Sequence, residues 1–370
     1  MTTEQIYALV NEVNSQAFGE TSLAVADTSS LISLGNTVLS TSSNTEAFLN
    51  TLAQRIGRTI LRFREYQNKL GDMVLNDFEY GAILQKIKVV MPEAEADEMY
   101  DLVDGESVDH YKIAKPDVKQ KLFVTRTPFQ FHITIQRETL KEAFMSPDAM
   151  GSFIGIIFGE VRNALEASLE NLSRVTIATS IAEVAGSARE IKLVTEFNNE
   201  TGESLTPVTA LHSPEFMAYS VAMINTMRDS FNDMSKLHND GSVATFTPDS
   251  DIRLRIISKF LRRLETVVQY KAFHEELVKA KGVVSSLNFW QAEESPYDVY
   301  IKRPSDSVAT AVENVIGVMN DRDAMGVYKK DEVVATSPVN AAGLYYNTYW
   351  HEKDLRFLDL SENITIFTLN

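Results

Sequence analysis

The spacing of apolar positions changes several times along the chain, and each change marks a different element. Ile6, Leu9, Val10 and Val13 recur at helical intervals behind Thr2 and Gln5, which stand at capping-box spacing, so a short amphipathic helix is predicted to open the chain and to end near Gly19. From Thr21 to Ser43 the residues are mostly Ser, Thr, Asn and small apolar types, which predicts an arm lying on another surface rather than a unit with its own core. A second helix is predicted from Thr45 to about Arg64. Its Arg55, Arg58, Arg62 and Arg64 suit either contact with nucleic acid or an acidic neighbour, or a solvated, salt-bridged face.

Between about Asp72 and Gln136 the period shortens to two. The runs Ile83 to Met91 and Lys121 to Ile135 flank the acidic stretch Glu93 to Asp109, the pattern of a long hairpin with a decorated tip. Alternation is clearest where Phe129, Phe131, Ile133 and Ile135 interleave with Gln130, His132, Thr134 and Gln136, as in a strand with one buried face. The tip holds too few apolar residues to bury itself and needs a neighbouring surface to lie on.

A helical period then persists over a long distance. Ser146, Pro147 and Asp148 supply an N-cap, an N1 proline and an acidic first-turn residue, and no proline interrupts the chain before Gly186, a suitable C′ glycine. Ile154, Ile157, Phe158, Val161, Leu165, Leu169, Leu172 and Val175 keep one apolar stripe. Roughly 39 residues of helix reach about 58 Å, longer than a small domain is wide, so an elongated or flat fold is expected. Gly151, Gly155 and Gly159 repeat every four residues within it, marking either a groove for a closely approaching backbone or a local break; charges at Glu160, Arg162, Glu166 and Glu170 exclude a membrane span.

A mixed α/β region follows. Ile191 to Phe197 reads as a strand, Asn198 to Glu203 as a loop, and Ser213-Pro214-Glu215 as the start of a helix reaching about Leu237. Asn239-Asp240-Gly241 is a turn signal. Ile252 to Ile257 alternates like a strand and Phe260, Leu261, Leu264, Val267 and Val268 fit a helix after it, with Val283 to Trp290 another strand. The last third closes with strands at Val315 to Met319, Met325 to Lys329, Gly343 to Trp350 and Ile364 to Leu369. In the third of these Leu344, Tyr346, Thr348 and Trp350 share one face and Tyr345, Asn347, Tyr349 and His351 the other, and this aromatic strand is expected in the sheet core.

Composition narrows the possibilities. The 370 residues include 44% hydrophobic and 23% charged types, an ordinary folded composition long enough for two or three cores. With no cysteine there are no disulfides, thiolate metal sites or cysteine nucleophiles. The start, Met1 to Gln5, lacks the basic and apolar regions of a signal peptide, and no apolar run is long enough for a membrane span. The formal net charge of -16 argues against broad binding to a phosphate backbone.

Catalytic signatures are missing: the chain has no G-x-x-x-x-G-K-[ST], no G-x-G-x-x-G after a strand and no G-x-S-x-G. His274-Glu275-Glu276 begins like a zincin helix, but Val278 stands where the second histidine must come. His110, His132, His212, His238, His274 and His351 are scattered. Asp101, Asp104, Glu106 and Asp109 surround Gly105 without the ligand rhythm of a calcium loop, and Asp321 and Asp323 flank Arg322 as turn punctuation. Arg253, Arg255, Lys259, Arg262 and Arg263 form the densest basic cluster, either a patch for an acidic partner or neighbouring copy, or a solvated helix face, with nucleic-acid contact third because no RNP-type aromatic motif accompanies it. No catalytic, cofactor-binding or metal-binding residue is nominated, and no cofactor is expected.

The order of parts, an N-terminal arm, a long hairpin with an acidic tip, a very long helix, an α/β region and an aromatic C-terminal sheet, resembles the major capsid proteins of tailed bacteriophages. Three stretches carry the closer resemblance, to the phi-twenty-nine-like short-tailed phages of Gram-positive hosts. They are Asn314 to Phe367 with its GLYYNTYW, Thr247 to Glu265, and TLKEAF at Thr139 to Phe144. The resemblance implies an α+β tailed-phage capsid fold. Its parts would be an N-arm at 1–66, an E-loop hairpin with flanking strands at 67–141, the P-domain spine helix at 142–186, an A-domain at 187–312 and the P-domain C-terminal sheet at 313–370. It implies a structural protein, not an enzyme, that forms hexamers and pentamers of an icosahedral head around double-stranded DNA. Scaffolding and portal proteins would be partners, DNA contact would be weak, and there would be no membrane partner. The location is the virion shell, after assembly in the host cytoplasm. An encapsulin-type compartment shell is the alternative on the same fold. Neither a further immunoglobulin-like domain nor covalent cross-links between subunits are expected.

Overall fold

The computed structural model describes residues 2–19, 24–56, 66–76, 84–92, 94, 98–101, 103–105, 107, 111, 113, 115–124, 126–271, 283–302 and 307–370. Its helices are α1 (Thr3–Phe18), α2 (Thr28–Val38), α3 (Ser42–Ile56), α4 (Arg137–Ala143), α5 (Pro147–Val184), α6 (Leu193–Thr201), α7 (Pro207–Ala210), α8 (Pro214–Asn232) and α9 (Ser258–Lys271). The early strands are β1 (Val74–Asn76), β2 (Leu84–Val89), β3 (Val118–Phe123), β4 (Arg126–Gln136), β5 (Glu190–Lys192), β6 (Ile252–Ile257) and β7 (Val283–Leu287). The later ones are β8 (Val299–Ile301), β9 (Thr310–Val312), β10 (Val315–Asp321), β11 (Met325–Thr336), β12 (Tyr345–Leu358) and β13 (Ile364–Thr368). The chain divides into two compact units, each made of three chain segments.

The first unit takes Met1–Tyr80, Arg126–Leu172 and Val327–Leu355. Its sheet has the order β1-β11-β12-β4. The period-two reading of 129–136 holds: β4 runs antiparallel to β12, with Phe131 opposite Trp350 and Ile135 opposite Tyr346. Tyr346, Thr348 and Trp350 are buried, so theirs is the covered face of the strand, whereas Leu344 is exposed and precedes the strand at φ 50°. The capping box at Thr2 and Gln5 and the end at Gly19 stand where the spacing put them. Within the stretch 21–43, expected to be an arm lying on another surface rather than a unit with its own core, lies α2. Asp27 accepts hydrogen bonds from the Ser30 backbone and hydroxyl, and the hydroxyls of Ser33 and Thr37 donate to carbonyls four residues back. The polar residues therefore cap and line a helix, whose Leu31, Leu34 and Val38 enter the same core as Phe48, Phe144, Phe153 and Trp350. At Gly151 the close neighbour is the Ile6 side chain, so the small residue makes room there for a side chain rather than for a backbone. Arg58, Arg62 and Arg64 lie outside the described residues.

The second unit takes Gly81–Thr125, Ser173–Gly326 and Arg356–Asn370. Its sheet has the order β5-β13-β10-β6-β7, parallel at β13–β5 and β6–β7 and antiparallel between. Its core joins Phe197, Phe216, Phe231 and Phe260 of α6, α8 and α9 to Leu254, Met319 and Phe367 of the sheet. The expectation of one sheet over 313–370 is corrected: β10 and β13 belong to this five-stranded sheet and β11 and β12 to the four-stranded one. Burial gives the reason. Every residue of β10 and β13 is buried, as in central strands covered on both faces, while β12 alternates like a strand with one face inward. The predicted strand at 191–197 is also corrected, since only Glu190–Lys192 is strand; Leu193, Val194 and Phe197 then bury one side of α6, which ends at Gly202 in the left-handed region. The run Lys121 to Ile135, read as one strand, divides into β3, paired with β2, and β4, paired with β12.

The long helix is α5, 38 residues capped as its Ser-Pro-Asp start implies, with Gly186 at φ +74° just beyond its end. Among the described residues no helix is long and apolar enough to cross a membrane.

Candidate functional site

Strand alternation brings four lysines to one face of the β2–β3 ribbon. The register sets Lys86 opposite Lys121 and Lys88 opposite Lys119, with Leu84 opposite Phe123 at the root. Four like charges on one face of an isolated ribbon repel, so their placement needs anions nearby.

Two turns of the second unit supply them. Asp359 and Glu362 lie between β12 and β13. The Asp359 carboxylate accepts from the Ser361 backbone (3.0 Å) and hydroxyl (2.7 Å), which fixes the turn and aims its remaining lone pairs outward. Asp240 sits in the Asn-Asp-Gly turn that the sequence marks. There Gly241 adopts φ +76° and donates to Asn239 Oδ1, and Ser242 donates to Asp240 Oδ1. The Asp240 backbone N–H donates to the Leu360 carbonyl at 2.7 Å, joining the two turns into one acidic socket.

Lysine ammonium groups fill it. Lys86 Nζ lies 3.1 Å from Asp359 and 2.5 Å from Glu362, Lys88 Nζ lies 2.8 Å from Glu362, and Lys121 Nζ lies 2.9 Å from Asp359 and 3.0 Å from Asp240. Backbone carbonyls take further donors: Lys86 bonds the Asp323 oxygen, Lys88 that of Ser361 and Lys119 that of Ser242. At the root the rings of Phe123 and Phe357 meet with centroids 5.7 Å apart.

The titration behaviour follows from this geometry. Burial pushes the Asp359 carboxyl up, but the Ser361 hydroxyl, Lys121 and Lys86 outweigh it and hold the group well below the usual carboxylate range. Burial likewise pushes Asp240 up, and Ser242 with Lys121 brings it below its ordinary value. For Lys86, desolvation favours the neutral amine, yet Glu362 and Asp359 raise its affinity for the proton; Lys121 behaves the same way between Asp359 and Asp240. All these groups are charged at neutral pH.

The sequence-derived candidates have other roles. Asp321 is buried, accepts from the Thr247 hydroxyl and the Asp323 backbone N–H, both at 2.7 Å, and so shapes the β10–β11 turn; burial pushes its carboxyl up. The basic cluster does not form one surface. Arg255 is buried and donates to Asn320 Oδ1 at 2.6 Å, Arg253 donates to the Ser250 carbonyl, and Arg262 pairs with Glu265 on the exposed side of α9. His238 is buried between Ser230 and Thr365, whereas His132 and His351 both stack against Tyr349. His110, His274, Glu275, Glu276, Glu106 and Asp109 lie outside the described residues, and among those described no three metal-ligating side chains converge. Sequence reasoning missed the lysine ribbon. Its signal is the i, i+2 spacing of Lys86 with Lys88 and of Lys119 with Lys121.

The fold has known counterparts. A capsid structure of Staphylococcus phage Andhra superposes with a TM-score of 0.55 at 8% identity, covering 85% of this chain and 87% of that one. A chain from a head-fibre and inner-core structure of bacteriophage P68 gives 0.56 at 8% identity, with the same coverage. At that identity the likeness speaks for the fold alone. In sequence, the major capsid protein of Bacillus phage B103 is 22% identical over 347 residues, 93% of this chain and 69% of the relative. That of Streptococcus phage Cp-1 is 22% identical over 329 residues, 86% of this chain and 81% of the relative. The family model described as Phi29-like phage major capsid protein matches residues 7–368, nearly the whole chain, and the chain belongs to that family of capsid shell proteins.

Proposed function

We propose that this major capsid protein builds an icosahedral phage head from hexamers and pentamers of itself, enclosing double-stranded DNA. The observation that carries the reading is the family match across 7–368. In this reading residues 1–66 act as the N-arm, 67–141 as the E-loop with its flanking strands, 142–186 as the spine, 187–312 as the A-domain, and 313–370 as strands shared between the P-domain and A-domain sheets. Scaffolding and portal proteins are its partners during assembly in the host cytoplasm. The role is structural, without catalytic, cofactor-binding or metal-binding residues. The net charge of -16 supports weak, non-specific contact with packaged DNA, because a wall of like charge does not trap the genome at its surface.

Expression of the full chain, alone and with its phage's scaffolding protein, followed by electron microscopy of purified particles, tests the proposal. Closed shells, tubes or capsomers are expected. A strictly monomeric particle under every assembly condition would overturn it.

A further inference from the structure

The β2–β3 ribbon is amphipathic the wrong way round. Its inward face carries the lysines, and its outward face carries Ile87, Val89, Val118 and Leu122, each between 51% and 58% exposed. Burial of aliphatic side chains therefore does not hold the distal ribbon. A two-stranded ribbon is at best marginally stable by itself in water, so something else must hold it in place. Lys86, Lys88 and Lys121 supply that hold through their charge complementarity with Asp240, Asp359 and Glu362. At the root, the contact of Phe123 with Phe357 is apolar instead.

We propose that these six side chains form an electrostatic latch. It seats the far end of the ribbon on the rest of the second unit and can open while the Phe123–Phe357 root stays in place as a hinge. The inference concerns contacts within one chain and stands independently of the shell reading. Closed, the latch pairs every socket carboxylate. Opened, the ribbon loses its charged support beyond the root, and its strand hydrogen bonds become those of a free hairpin. The pairs are only partly shielded, with lysine side chains 17% to 39% exposed. Shortening the screening length from about 30 Å at 0.01 M salt to about 3 Å at 1 M therefore weakens the latch without touching the root.

Amide hydrogen exchange on the unassembled full-length subunit is the test, with two variants that attack the latch from opposite sides. K86M/K88M/K121M removes the cations and leaves the socket. D359N/E362Q removes two of the three anions and leaves Asp240 with Lys121, while the amide oxygen introduced at position 359 can still accept from Ser361. In both, the amides of Lys86, Lys88, Lys119 and Lys121, which the register places in the bonded pairs of the ribbon, are expected to exchange at least about tenfold faster, equivalent to losing about 1.4 kcal/mol of local opening free energy. Phe123 and the amides of β10 should keep their protection, and high salt should reproduce the pattern in the unmodified protein. Unchanged distal exchange in either variant would overturn the latch. So would an equal loss of protection at Phe123 and β10, because the charges would then serve general stability and not a hinged element.

Discussion

Gly35, in the middle of α2, is a position where a single added methyl group is expected to be destabilising. It is buried, and a Cβ built on it would stand 2.5 Å from Phe144 Cβ, 2.6 Å from Cγ and 3.1 Å from Cδ1. Phe144 cannot retreat easily, since it is itself buried and its ring meets the fully buried Phe48 with centroids 5.3 Å apart. Two effects oppose each other in Gly35→Ala. Helix propensity favours alanine over an interior glycine by about 1 kcal/mol. Overpacking a filled core costs about 1–3 kcal/mol, and the upper end applies because the obstructing atom is a Cβ tied to the backbone, not the tip of a flexible side chain. The net expectation is a loss of about 2 kcal/mol, read as a lower urea midpoint with an unchanged slope in unassembled subunits. Gly71→Ala is the contrast, because no atom lies within 4 Å of a Cβ there and its φ is ordinary; it should leave the midpoint unchanged or raise it. A Gly35→Ala/Phe144→Ala double variant should lose less than the two single losses together, since the clash disappears with the ring. Gly35→Ala at or above the original stability, or strict additivity in the cycle, would refute the reasoning.

Two further outcomes follow from burial. Burial lowers the proton affinity of His238 below that of an ordinary imidazole, so below its usual titration range the unfolded chain binds more protons than the folded one; the stability present at neutral pH is lost as pH falls. Unfolding free energy measured from about pH 7 to about pH 5 should decline less steeply in His238→Gln, and an identical decline would sink the assignment. On β12, Trp350→Ala should cost about 3–5 kcal/mol in denaturant unfolding, while His351→Ala, exposed on the opposite face, should stay within about 0.5 kcal/mol; similar losses at both would mean that the sheet is not covered on one side only.

What the sequence reveals of this fold depends on whether local rules and tertiary contacts agree. They agree at α1, where Thr2 and Gln5 cap each other, along α5, where Ser146-Pro147 opens 38 residues of helix, and at β4, where Phe129 to Gln136 alternates inward and outward as read. They part at 193–201 because a short apolar run fits either period. The C-terminal strands are legible as strands but not as members of two sheets. Sheet partners are set by pairings such as Asn320 with Arg253 and Trp350 with Phe131, whose sequence separations no local pattern encodes.

The ribbon shows a deeper limit of pattern reading. A period of two separates two faces but does not say which one is covered, and the usual assumption assigns the apolar face inward. In β2 that assumption would bury Ile87 and Val89 and expose Lys86 and Lys88, the reverse of what is found. The reversal is tolerable only because Asp240 and the Asp359–Glu362 turn, far apart in sequence, converge beneath the lysines. Without them each half-buried ammonium would carry an uncompensated desolvation cost. Part of the acidic surplus that first reads as simple repulsion of nucleic acid is thus engaged inside the subunit, where it decides which way the ribbon faces.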